Sequence, residues 1–185
     1  EQDKRALLTE FRLHTFDAIE RRMSANPVLH SFQLTVHEYG ISADLINAFL
    51  NSMEMDLDRT SYDESGYKQY IYGSAEVIGL MCLRIFCEGD EARYDSLKDG
   101  ALALGSAFQK VNFLRDMRSD LEERGRIYFP GVDLKNGFNA QVKKEIEDDI
   151  RADFRKARKS IQLLPAGCRF GVYVAYVYYL KLLQK

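Results

Sequence analysis

The chain has 185 residues, 46% of them hydrophobic, enough for one domain with a sizeable core. Its formal net charge of −2 leaves no nucleic-acid footprint. Three cysteines without metal-ligand spacing, Cys82, Cys87 and Cys168, exclude a disulfide framework and fit buried thiols in a reducing compartment.

With 3 prolines and 12 glycines to interrupt it, the chain is expected to form long helices. It opens on a charged stretch, E-Q-D-K-R, unlike a secretory leader, so a cytoplasmic protein is expected. Lys4 to Met23 places Leu7, Leu8, Phe11, Phe16 and Ile19 at roughly helical spacing. Asn26-Pro27 breaks that run, and Val28 to Tyr39 reads as a second helix. His30 and His37 form no H-E-x-x-H pattern and read as surface or boundary histidines. Gly40 closes this helix, and Ser42 stands where a cap for Ala43 to Leu57 is needed. In the tail S-M-E-M-D-L-D-R-T, Asp56 and Asp58 are read as surface caps, with support of a site as the alternative. Arg59 to Gly66 is a polar loop.

Tyr67 to Phe86 is the next helix. Tyr70, Gly73, Ser74, Val77 and Met81 share one face of it. An aromatic followed by small and apolar residues can line a hydrocarbon tunnel; close helix packing explains the same spacing and is favoured by spacing alone. Glu88 to Tyr94 is a charged turn, and Asp95 or Ser96 is the expected cap of a long helix.

That helix carries L-G-S-A-F-Q-K-V-N-F-L-R-D-M-R-S-D-L-E-E-R-G-R-I-Y-F-P, Leu104 to Pro130. At ~100° per residue, Gln109, Asn112, Asp116 and Asp120 fall within a stripe roughly 80° wide. Gly105 lies on the same stripe and leaves room there for something bulky. Carboxylates at i and i+4, with the Asn112 amide oxygen beside them, come within reach of one hard cation such as Mg²⁺. Arg115 borders the stripe, and Arg126 and Tyr128 follow just past the helix end. Oxygen ligands for Mg²⁺ beside guanidinium groups suit a phosphate-bearing substrate. Asp-x-x-x-Asp alone is a weak signal, because 28 acidic residues produce such pairs by chance on solvated faces. The added Gln, Asn and Arg on an otherwise apolar helix need a further reason.

Glu122 to Asn139 is loop-like. Gln141 to Ile161 is amphipathic, and its R-A-D-F-R-K-A-R-K segment reads as a solvated face. Leu163 to Gly167 breaks it. Arg169 to Lys185 is tyrosine-rich (Tyr173, Tyr176, Tyr178, Tyr179) and reads as a helix closing the core. The longest apolar-rich run, Phe170 to Leu183, is interrupted by Lys181 and falls short of the ~20 residues a membrane span needs.

The stretch from Gly105 through Q-x-x-N-x-x-R-D-x-x-x-D to G-R-x-Y-x-P resembles the second aspartate-rich motif of the squalene/phytoene synthase family, the head-to-head isoprenyl diphosphate synthases. The match is long and specific. The segment around Tyr70 is similar to the family's Tyr-x-Tyr-x-x-Ala-Gly-x-x-Gly, with Glu76 where many members have glycine; at ~100° per residue Glu76 projects about 120° from the Tyr70 face. The resemblance implies an all-α, isoprenoid synthase-type bundle around a central apolar cavity. It implies Mg²⁺ (with Mn²⁺ as substitute) held by Asn112, Asp116 and Asp120, and isoprenyl diphosphate bound by Gln109, Arg115, Arg126, Tyr128 and Tyr179. Tyr70, Asp116 and Asp120 would be catalytic.

The S-M-E-M-D-L segment points to the phytoene synthase branch: two geranylgeranyl diphosphates condensed to phytoene, in carotenoid biosynthesis. Two alternatives stay open. One is a squalene or dehydrosqualene synthase using farnesyl diphosphate. The other is a catalytically silent, isoprenoid-binding helical protein. The insoluble products imply peripheral membrane contact. The family's first aspartate-rich motif has no counterpart before Tyr67, so the chain is expected to be one domain matching roughly the C-terminal two thirds of a member. Truncation, an absent N-terminal third or a degenerate member each account for this; an opening without Met favours truncation.

Overall fold

A computed structural model describes residues 3–58, 61–125, 127–130 and 139–184. Among them are α1 (Lys4–Arg21), α2 (Pro27–Tyr39), α3 (Ala43–Asp58), α4 (Glu64–Ile71), a π-turn (Tyr72–Glu76), α5 (Val77–Cys87), α6 (Glu91–Arg124), α7 (Ala140–Ile161) and α8 (Ala166–Leu182). No strand occurs among the described residues; one isolated bridge joins Ser61 to Ile127. The all-α expectation holds.

The helix ends follow local chemistry. Asp3, Asn26 and Asn139 accept from the first free N–H groups of α1, α2 and α7. Gly40 and Gly125 close α2 and α6 in the left-handed conformation. The cap of α6 is Asp90, whose Oδ1 accepts from the Arg93 N–H at 2.9 Å; it is not Asp95 or Ser96. Glu88 and Gly89 both take positive φ, so the reversal after α5 needs only these residues and the helix starts a turn earlier than expected. Arg84 fastens this corner, lying 3.6 Å over the Tyr94 ring and 2.6 Å from Glu91. α6 also runs on to Arg124, past the expected loop start at Glu122.

α6 is the axis of the bundle. It packs against α4, the π-turn, α5, α7 and α8. The main core gathers Leu83, Leu97, Val111, Ile150, Phe154 and Tyr176 around it. A second cluster, Val36, Ile41, Ile46 and Leu50, seats α2 against α3. α7 is keyed to α6 by Lys110, whose ammonium lies 2.5 Å from Asp149 and 2.8 Å from Asp153. Burial lowers the Lys110 pKa, but the hydrogen bonds to both carboxylates outweigh it and the net shift is upward.

The helix Glu64–Cys87 is long and apolar enough to cross a membrane by length and composition, a stretch longer than the Phe170–Leu183 run noted above. Its contacts make it a core helix: Tyr70, Ile71, Val77, Leu80 and Leu83 are buried, and it lies between α3 and α6. It is also not one regular helix. At Tyr72–Glu76 the i→i+5 pattern widens it for one turn.

Two close approaches clamp that turn. A Cβ on Gly73 would meet the Ala48 carbonyl oxygen of α3 at 2.4 Å, and one on Gly105 would meet the Ala75 carbonyl oxygen at 2.7 Å. The space at Gly105 is therefore filled by the backbone of the π-turn, not by a ligand. Gly73 and Val77 serve packing, as spacing alone favours. Glu76 turns toward Ser106 and Lys110 on α6. Burial raises its carboxyl pKa, and the nearby Asp153 charge adds to this.

Gly73→Ala or Gly105→Ala should lower stability by about 1–3 kcal/mol in urea unfolding, the cost of overpacking. Gly171→Ala, in α8 with nothing within 4 Å of a Cβ, should instead gain about 0.5–1 kcal/mol of helix propensity. Glu76 binds its proton more tightly folded than unfolded, so its contribution falls as pH rises above the ordinary Glu range. Glu76→Gln should therefore be more stable than wild type at neutral pH, with the difference shrinking at acid pH where both forms are neutral.

Candidate functional site

The C-terminal half of α6 carries the polar stripe. Gln109, Asn112, Asp116 and Asp120 are all half-buried, between the buried Val111 and Phe113 and the exposed Arg115, Arg118 and Ser119. The grading follows from the helical period: the stripe is the border between core and solvent.

Asn112 is the informative member. Its Oδ1 is buried without a hydrogen-bond partner, which costs about 1–3 kcal/mol unless something satisfies it. Asp116 lies one turn further along the same face. Arg115 closes on Asp116 through two hydrogen bonds, Nε to Oδ1 at 2.7 Å and Nη2 to Oδ2 at 2.6 Å. The Arg115 guanidinium is thus already paired, and its pKa is raised by that hydrogen bond. Among the described residues no group of three or more His, Cys, Asp or Glu converges on a metal position. The stripe's donors fit a hard cation as two carboxylates plus one amide oxygen, leaving the remaining octahedral positions to water or ligand oxygens. Arg126 lies outside the described residues.

An aromatic cluster flanks the stripe. Tyr128 stacks on Phe113 with centroids 4.0 Å apart, and Tyr62 and Tyr70 pack against Tyr128 at 5.9 and 5.8 Å. The Tyr70 hydroxyl sits 3.0 Å from both carboxylate oxygens of Asp56 and donates to them. Burial, then the Asp56 charge, push the Tyr70 phenol well above its ordinary pKa. Asp56 is therefore no surface cap. Asp58 is a surface residue paired with Arg5. The Asp56–Tyr70 contact was not readable in sequence, because a polar loop of uncertain path separates the two.

Past the other edge of the stripe lies an apolar cavity of about 350 Å³. Ser74, Gly79, Leu104, Phe108, Ile161 and Val172 are among its walls, so α5, α6, α7 and α8 all contribute. From the Tyr67–Phe86 stretch, Ser74, Ala75, Ile78, Gly79, Cys82, Leu83 and Phe86 line it; of the expected face Ser74 is among them, while Tyr70, Gly73, Val77 and Met81 are not. The π-turn causes this, since it rotates α5 relative to α4. Tyr179 stacks on Phe108 at 4.0 Å, between the cavity and the stripe. Cys82 lies exposed at the cavity, Cys87 is buried and Cys168 is intermediate, so only one of three expected buried thiols is fully buried.

The model of the squalene/phytoene synthase family matches residues 1–185. Phytoene synthase 1, chloroplastic, of Solanum lycopersicum is 30% identical over 169 residues, 82% of this chain and 40% of that protein. The bifunctional lycopene cyclase/phytoene synthase of Blakeslea trispora is 28% identical over 73% of this chain and 25% of its own length. The chain thus spans less than half of these relatives. Among solved structures, a squalene synthase from Alicyclobacillus acidocaldarius superposes with a TM-score of 0.84 at 20% identity, over 100% of this chain and 73% of that one. A dehydrosqualene synthase in complex with ligand gives 0.82 at 20% identity, over 96% and 66%.

A hydrogen bond to a charged acceptor contributes about 1.5–3 kcal/mol. A double-mutant cycle of Asp56→Asn and Tyr70→Phe should give a coupling energy of about 1.5 kcal/mol in chemical denaturation. Additive effects would mean the pair is incidental.

Proposed function

Because this chain belongs to the squalene/phytoene synthase family, we propose that it is part of a prenyltransferase that joins two isoprenyl diphosphates head to head. The observation that carries this is the buried, unpartnered Asn112 oxygen, set one turn from Asp116 and close to the end of an apolar cavity. A hard cation and a hydrocarbon chain are the two things such a neighbourhood accommodates.

Asn112, Asp116 and Asp120 would hold Mg²⁺. When bound, that ion supplies charge neutralisation to a departing diphosphate. Arg115 would turn from Asp116 toward phosphate oxygens as the carboxylate engages the ion, with Arg126 adding a second guanidinium. Gln109 would orient the diphosphate from the same stripe. Loss of diphosphate from the first substrate leaves an allylic cation, which the double bond of the second attacks. Proton loss closes a cyclopropylcarbinyl diphosphate. A second ionisation releases the other diphosphate, the cyclopropylcarbinyl cation rearranges to link the two chains, and loss of a proton gives the neutral product.

The apolar walls keep water from the cation. The Tyr70 ring, held by Asp56 and Phe113, would stabilise positive charge through its π-face. Tyr128 and Tyr179 wall the two sides of the stripe.

Within this reading we assign the phytoene type, using two C20 geranylgeranyl diphosphates, supported by the plant and fungal phytoene synthases that match along the sequence. The test is turnover of radiolabelled geranylgeranyl and farnesyl diphosphates, with and without Mg²⁺, by the full gene product. Phytoene formation that requires Mg²⁺ is expected. Preference for farnesyl diphosphate would move the assignment to the squalene type. No product from either would leave a silent isoprenoid-binding protein. Asp116→Ala and Asp120→Ala should each lower turnover at least about a hundredfold, with helix content unchanged by circular dichroism. Loss of folding instead would make the pair structural.

A further inference from the structure

From Arg155 to Lys185 the chain contains seven Lys and Arg and no acidic residue; all 28 Asp and Glu precede it. A chain of net charge −2 therefore carries a strongly cationic segment. In space this segment is a hairpin. Phe154 of α7 meets Tyr176 of α8 edge to face at 5.4 Å, so the two helices fold back on each other about the elbow Gln162–Pro165.

The cations gather toward that elbow. Arg155, Lys156, Arg158 and Lys159 are exposed on the last turns of α7. Among the described residues, Lys156 alone of these has a carboxylate within reach, Asp99 at 3.9 Å. Arg169 folds back and donates to the Leu164 carbonyl from Nε at 2.9 Å and Nη2 at 2.6 Å, stiffening the corner. Large apolar side chains stand out beside these charges. Leu163 is 67% exposed and Phe170 76%, with Val174 at 50% a turn further along α8. Apolar side chains projecting from a cationic rim match an anionic bilayer surface, where the apolar groups enter the headgroup boundary and each Lys or Arg adds attraction.

The cavity adds a reason for this place. Its wall includes Ile161 and Leu164 at the elbow and Val172 further along α8, while Gly105 and Phe108 form its end near the polar stripe. A hydrocarbon lying in it points toward the elbow.

We propose that the α7–α8 elbow is a docking surface for anionic membrane lipid, placing one end of the apolar cavity against the bilayer. The use of that contact to pass isoprenoid rests on the proposed function, but the docking itself does not.

The test is cosedimentation of the full gene product with vesicles of phosphatidylcholine alone, and of phosphatidylcholine mixed with phosphatidylglycerol in equal parts. Binding should be more than about tenfold stronger to the anionic vesicles and should fall in high salt. The double variant Leu163→Ser/Phe170→Ser, and the quadruple variant with Arg155, Lys156, Arg158 and Lys159 changed to Gln, should each lose most of it. Val28→Ser/Leu34→Ser, which removes exposed apolar residues of α2, should not. Circular dichroism of each variant confirms folding. Absence of vesicle binding, equal binding by the elbow variants, or a wild-type dimer that the Leu163/Phe170 variant abolishes in place of vesicle binding would each overturn the proposal. Turnover measured without vesicles reports on the proposed function separately.

Discussion

The candidate site depends on how the π-turn is held on both sides by backbone that touches it with no side chain between. Gly73 brings the π-turn against α3, and Gly105 brings α6 against the same turn. Each contact is closer than any Cβ tolerates, so each fixes an interhelical distance that side-chain packing would otherwise set more loosely. Everything at the candidate site is measured from this clamp. Downstream of Gly105, α6 leaves the π-turn and its next turns present Gln109, Asn112, Asp116 and Asp120 at the border of the core.

Charge then refines what shape has fixed. Lys110, on the face of α6 away from the cavity, holds Asp149 and Asp153 of α7 and so sets the rotation of α6 about its own axis. That rotation decides which residues border the cavity and which meet solvent. Arg115 and Asp116 compensate each other, which lowers the electrostatic cost of keeping two carboxylates a turn apart.

Much of this was legible in the sequence because it is local. The stripe on α6 stands out since amides and carboxylates on an apolar helix have few structural uses, and the all-α class follows from the spacing of Leu and Phe in each helix. What escaped is tertiary. Asp95 and Ser96 are chemically as good a cap as Asp90; only the left-handed pair Glu88 and Gly89 decides among them. Asp56 looked like a surface residue because its partner, Tyr70, reaches it across a loop. The face of α5 that lines the cavity could not be found at a period of 3.6 residues, because the helix does not keep that period. The room expected at Gly105 is taken by the backbone of the π-turn, which the sequence of α6 alone does not reveal.

The π-turn has a consequence for how the chain tolerates change in length. A helix widened by one residue carries a built-in phase shift between its two ends, and the two ends here answer to different neighbours. α4 supplies Tyr70 to the aromatic cluster, while α5 supplies Ile78, Gly79 and Cys82 to the cavity. Removing one residue between Tyr72 and Glu76 would restore a regular helix and improve its internal hydrogen bonding. It would also swing one end by ~100° relative to the other, so that either the ring beside Phe113 or the wall of the cavity would face the wrong way. The irregular turn is thus the coupling that lets one continuous helix serve two differently oriented surfaces, and its defect in regularity is what the arrangement requires.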